Sequence, residues 1–134
     1  MKILAIDYGS KRIGLALTDE KAMLARGFKT LENNSDLLNK LMEIIKENDV
    51  RTVVLGNPKN MDGSLSNQSR EVLRFSKLLE KKISPLEVIL FDELLSTEEA
   101  NEIMSFLKTK KKKRKEIRDQ IAAEIILRRY LATQ

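Results

Sequence analysis

Three short apolar runs constrain this chain more than any other feature: "KILAIDYG" at its start, "RTVVLG" in the middle and "LEVILF" after Pro85. Each reads as a buried strand, and the segments between them carry helical spacing. Residues 36–47 place Leu37, Leu38, Leu41, Ile44 and Ile45 on one face, behind a cap at Asn34 or Ser35. Residues 68–82 repeat the pattern through Val72, Phe75, Leu78 and Leu79. "RIGLALTD" follows the first run after a short turn and reads as its hairpin partner, with "GFKTLE" as a third, shorter edge strand. Ser96 or Thr97 can cap a helix carrying Ala100, Ile103, Met104 and Leu107, and residues 116–131 form the last helix. The order βββαβαβα predicts an α/β fold, a mixed five-stranded sheet flanked by helices. At 134 residues the expectation is one domain spanning 1–134.

What is missing narrows the chemistry. There is no cysteine and no histidine, which removes disulfides, thiolate or Ser-His catalysis and ordinary zinc sites. Polar chemistry must then come from other side chains, and carboxylates holding a hard cation lead that field. With no histidine as general base, the attacking water of a hydrolase must lose its proton through a metal or the substrate. That predicts a pH–rate profile leaning to the alkaline side. No apolar run approaches the roughly 18 residues of a membrane span. The opening "MKILAIDYGS" has no apolar stretch followed by a small-residue cleavage site. The expected compartment is the cytoplasm, with no membrane partner.

The net charge of +5 is local. Seven of the eight residues from Lys108 to Lys115 are basic; without them 18 basic residues face 20 acidic ones. By itself such a run reads as a solvated, mobile loop. As a concentrated patch it is the footprint of a polyanion contact.

Acids stand where the predicted strands end: Asp7 after the first, and the pair Asp92 and Glu93 after "LEVILF". Open α/β sheets carry their sites at that edge, although acids also follow strands as ordinary turn residues. Asp119 adds weight. On a helical wheel it falls among Ala122, Ala123, Ile126, Leu127 and Tyr130, the one carboxylate of an apolar stripe. A helix starting at 116 would put it in the first turn, where an acid complements the helix dipole, but that benefit does not require the inward face. An unpaired buried carboxylate costs several kcal/mol, so a compensating cation or hydrogen bonds are expected. Ala122 and Ala123 would also let the helix approach the sheet closely. Ile117, Ile121 and Ile125 make a second apolar stripe, for the sheet or for a partner, and the oligomeric state stays open.

"DYGSKRIGLALTD", "VVLGNPKNMDGS", "DELLST" and "DQIAAEIIL" together resemble, in order and spacing, the four motifs of the YqgF family. These are small bacterial RuvC-like proteins of the RNase H-like fold, described as Holliday junction resolvases and as nucleases for the 5′ end of pre-16S rRNA. The resemblance covers nearly the whole chain. It implies a Mg²⁺ or Mn²⁺ site held by Asp7, Glu93 and Asp119 as catalytic carboxylates, Glu93 being favoured over Asp92 because RuvC-like sites usually take a Glu there. It implies nucleic-acid contacts from Lys11, Arg12, Asn60, Asp62 and Ser64, to which the run adds Lys110, Lys111, Lys112, Lys113, Arg114 and Lys115. Partners would be pre-rRNA, ribosomal precursor particles or a DNA junction. One departure matters: the family reads D-E-R in its third motif, and this chain has Leu94 where the Arg belongs.

Three other readings stand beside pre-16S rRNA processing. A Holliday junction resolvase acting on four-way DNA fits the same motifs. A non-catalytic nucleic-acid-binding module for ribosome assembly would use the basic run alone. An actin-like ATPase or sugar kinase would need a second D-x-G loop, and the sequence has none.

Overall fold

The structure, a computed structural model, describes residues 1–58, 67–83, 86–93 and 111–134, with the side chains of Pro58, Glu93 and residues 111–115 outside the description. Its elements run β1 (Lys2–Tyr8), β2 (Arg12–Thr18), β3 (Ala25–Glu32), α1 (Leu37–Glu47), β4 (Val50–Pro58), α2 (Asn67–Lys82), β5 (Glu87–Glu93) and α3 (Lys111–Ala132). Among the described residues the order is βββαβαβα. The predicted helix through Ala100 and Leu107 lies outside the described residues.

The five strands form one sheet in the order β3-β2-β1-β4-β5. β1–β2 and β2–β3 pair antiparallel, whereas β1–β4 and β4–β5 pair parallel. The first two connections are hairpins; the parallel pairs need crossovers, which α1 and α2 supply. Strand alternation then sorts the side chains. Leu4, Ile6, Ile13, Leu15, Val53 and Leu55 point to the face covered by α1 and α2, where Leu37, Leu41, Val72 and Leu79 complete the larger core. Ala5, Ala16 and Val54 point to the other face and meet Ala123, Ile126, Leu127 and Tyr130 of α3. Each fully buried Leu or Ile contributes about 1.5–3 kcal/mol, so the larger core carries most of the stability.

Three local expectations need correction. The α1 cap is neither Asn34 nor Ser35: the N-cap position is Asp36, without a side-chain cap. Asn34 acts one turn earlier, its Oδ1 accepting the Asp36 N–H at 3.0 Å. β3 begins at Ala25, two residues before "GFKTLE", because its ladder to β2 continues to Thr18↔Ala25. The third correction concerns the basic run. α3 begins at Lys111, so residues 111–115 have helical backbone and do not form a loop. Lysine and arginine are good helix formers; with no apolar stripe among them, spacing alone could not reveal it. Asp119 therefore lies in the third turn of α3 and gains nothing from the helix N-terminus.

Candidate active site

The carboxyl ends of β1, β4 and β5 share one edge of the sheet, and β2, running the other way, brings its first residue to the same edge. Asp7, the penultimate residue of β1, pairs in register with Gly14 of β2. α3 also comes very close at Gly14: a Cβ there would overlap the Asp119 carbonyl and lie 3.0 Å from the Asp119 Cβ. The glycine thus brings Asp7 and Asp119, 112 positions apart in sequence, against one residue. The expected close approach of α3 is real, but glycines make it possible as much as Ala122 and Ala123 do. At Gly27 the fit is looser, with a would-be Cβ 3.2 Å from the Gln120 Cβ.

Hydrogen bonds fix α3 along β3. The Thr30 hydroxyl donates to the Glu116 carbonyl at 2.7 Å, and the Gly27 N–H donates to Glu124 Oε1 at 3.0 Å. Ala122, Ala123, Ile126, Leu127 and Tyr130 are buried as the wheel predicts; of the second stripe Ile125 is buried and Ile117 and Ile121 are half-buried.

Asp119 has the cation that its setting demands. Arg12 Nε donates to Asp119 Oδ2 at 2.9 Å, with side chains 30% and 18% exposed. Arg12 has the strand parity of Gly14 and Ala16, so β2 aims it at α3. Sequence reasoning placed Arg12 in a nucleic-acid groove and missed this pair; the alternation of β2 is the signal that could have found it. Arg12 also lines a cleft of about 470 Å³ with Lys11, Thr30, Asn33, Asn34 and Glu116.

Asp92 behaves differently from its neighbour's expected role. The Asn57 Nδ2 donates to its Oδ1 at 3.1 Å. Asn57 is buried and shares the parity of Val53 and Leu55, the α1/α2 side. Among the described residues no group of three or more acids stands ready to hold a metal; the structure describes Glu93 only as backbone, in register with Pro58. Asn60, Asp62, Ser64, Leu94 and Lys110 lie outside the described residues, and Lys111, Lys112, Lys113, Arg114 and Lys115 are described as helical backbone alone.

The fold and this acid-bearing edge define a class, the RNase H-like fold of the RuvC resolvases. Thermus thermophilus RuvC in complex with Holliday junction substrate superposes with a TM-score of 0.58 over 99% of this chain and 96% of that one, at 13% identity. The fowlpox virus resolvase in complex with Holliday junction DNA gives 0.59 over 99% and 98%, at 12% identity. Identities this low speak for the fold alone. The particular family follows from sequence: the chain belongs to the RuvX (YqgF) family, whose model, described as Holliday junction resolvase, matches residues 1–133. Two relatives named "Putative pre-16S rRNA nuclease" are each 41% identical. That of Acetivibrio thermocellus aligns over 98% of this chain and 95% of its own length, and that of Geobacillus sp. (strain WCH70) over 98% and 97%.

Proposed function

We propose that this chain is a divalent-metal-dependent endonuclease that hydrolyses phosphodiester bonds of structured nucleic acid, with the 5′ end of pre-16S rRNA as its substrate. The observation that carries this reading is the meeting of Asp7 and Asp119 at Gly14, on the sheet edge where open α/β folds place their chemistry. The names of the relatives, nucleases for pre-16S rRNA, point the same way.

The donors fit a hard cation. Carboxylate oxygens are what Mg²⁺ and Mn²⁺ take, and one oxygen of Asp119 already accepts a positive group. Asp7, Glu93 and Asp119 would hold the metal. Glu93 is preferred to Asp92 because position 93 has the parity of Ile89 and Phe91, on the α3 side, whereas Asp92 is engaged with Asn57. When bound, the metal supplies an activated water and positive charge at the leaving oxygen. The chain's own residues do the remainder. Asp7 and Asp119 set the site at a rigid sheet edge, and Lys11 and Arg12 offer donors to phosphate in the cleft beside it. The segment with Asn60, Asp62 and Ser64 would line the substrate groove, and the run from Lys110 to Lys115 would gather the polyanion without sequence preference. We place the activity in the cytoplasm, on ribosomal precursor particles, in a single domain of residues 1–134. Among the described residues no helix is long and apolar enough to cross a membrane.

The family description favours a second reading, cleavage of four-way DNA junctions. One experiment separates them: purified protein is offered a pre-16S rRNA 5′ leader and a synthetic junction, each with Mg²⁺ or Mn²⁺. Cleavage of the leader alone supports the first reading, and of the junction alone the second. Asp7→Asn and Asp119→Asn should each lower the rate by about a thousandfold or more, in line with the loss of charge that stabilises the transition state. Cleavage that survives both changes sinks the metal-carboxylate mechanism. Binding without cleavage by the unaltered protein would leave a non-catalytic assembly module.

A further inference from the structure

Arg12 occupies a place that a metal site must contest. Its Nε stands 2.9 Å from Asp119 Oδ2, the pair joins residues 107 positions apart, and both side chains are partly buried. Moving α3 off would cost its seat on Gly14 and its hydrogen bonds to Thr30 and Gly27 of β3. Turning Arg12 away through β2 would likewise disturb its register to β1 and β3, which runs through Ile13 and Gly14. The freedom lies in the arginine side chain itself, which borders an open cleft.

We propose that Arg12 is a built-in competitor for the divalent cation: it holds Asp119 in place while the metal is absent and must give up that carboxylate when the metal binds. This deepens the metal-site reading above and rests on it. A guanidinium and a divalent cation at one carboxylate repel each other, and in a partly buried setting that repulsion is only weakly screened. The contact therefore does two opposed things. It keeps a carboxylate on an apolar helix face from being buried unpaired, which preserves the site before loading. It also raises the metal concentration needed to load the site, so that Arg12 sets a threshold for activation. Arg12 is thus a positioning residue for Asp119 in the free protein.

The test is Mn²⁺ affinity, measured by titration calorimetry on the whole chain without nucleic acid. Arg12→Gln, which removes the charge and keeps most of the length, should bind Mn²⁺ on the order of five- to tenfold more tightly, as expected for losing one nearby positive charge. Arg12→Lys should stay within about twofold of the unaltered protein, because the charge is kept. Asp119→Asn tests the underlying reading: if it binds Mn²⁺ like the unaltered protein, the metal site itself is wrong. If Asp119→Asn loses Mn²⁺ while Arg12→Gln binds it no more tightly than before, the competition is refuted and the metal site stands. Should Arg12→Gln fail to fold, the unaltered protein decides. The Arg12 Nε–H proton resonance, shifted downfield by its carboxylate partner, should move to the position of a solvated arginine as Mg²⁺ is added. A resonance that stays put at saturating Mg²⁺ overturns the proposal.

Discussion

The two faces of the sheet are built from different materials. Beneath α1 and α2 lie Leu4, Ile6, Ile13, Leu15, Val53 and Leu55, and Tyr8 packs tilted against Phe75 with ring centroids 4.8 Å apart. Beneath α3, beside the larger Val54, lie Ala5, Ala16, Ala25, Gly14 and Gly27, and near the acid-bearing edge the packing gives way to Asp7, Arg12 and Asp119. The same strands supply both, one residue out of step. Large side chains hold the α1/α2 helices off the sheet and bury much area. Small ones let α3 come down until its backbone meets β2 at Gly14, which brings the short Asp119 side chain toward the edge that carries Asp7. One face carries stability, and the other gives up some of it to bring charged groups together.

Substitutions break this comparison in order of size. Leu15→Ala empties a fully buried position on the bulky face and should cost about 3–4 kcal/mol by chemical denaturation. Once refolded at low temperature, the variant should still bind Mn²⁺. If it loses the metal, the faces are not separable as argued. Gly14→Ala should cost about 2–3 kcal/mol, since its methyl meets the Asp119 backbone, and unlike Leu15→Ala it should also abolish Mn²⁺ binding. Gly27→Ala on the same face should cost less than about 1 kcal/mol, because its nearest neighbour is a side-chain carbon at 3.2 Å rather than backbone. Equal costs at the two glycines would show that α3 is not anchored at Gly14.

The smallest effect lies away from both faces. In the β2–β3 turn, Asp19 Oδ1 accepts the Met23 N–H at 2.8 Å and the Leu24 N–H at 3.2 Å, and these bonds hold the carboxyl below its ordinary value of 3.8. A depressed folded value means the contribution is present above pH 3.8 and fades as the pH falls through the lower, folded value. Thermal unfolding of Asp19→Asn should therefore be slightly less stable than the unaltered protein near neutrality, and the difference should shrink on acidification. A gap that widens in acid would contradict the assigned hydrogen bonds.

Much of this could be read from residues. The apolar runs located β1, β4 and β5, and the helical wheel of Asp119 located the face that α3 buries. The need for a compensating partner at Asp119, a cation or hydrogen bonds, was also legible, since a carboxylate on an apolar helix stripe is costly to bury unpaired. Its identity was not. Nothing local joins Arg12 to Asp119, and a basic residue after a turn reads equally well as a phosphate contact. Asp92 and Glu93 give nearly one signal in sequence, two adjacent acids after one strand. Pairing with β4 separates them: Asn57 stands in register with Asp92 and donates to it, while Glu93 stands in register with Pro58.

Sequence by itself determined the order of elements, the family and the acids that could do chemistry, because apolar periodicity and residue type are local properties. Tertiary structure alone decided which helix takes which face, that Gly14 is the meeting point of Asp7 and Asp119, and that Arg12 neutralises Asp119. Those outcomes depend on backbone approach between segments more than a hundred residues apart, and close approach is set by what the intervening side chains leave room for.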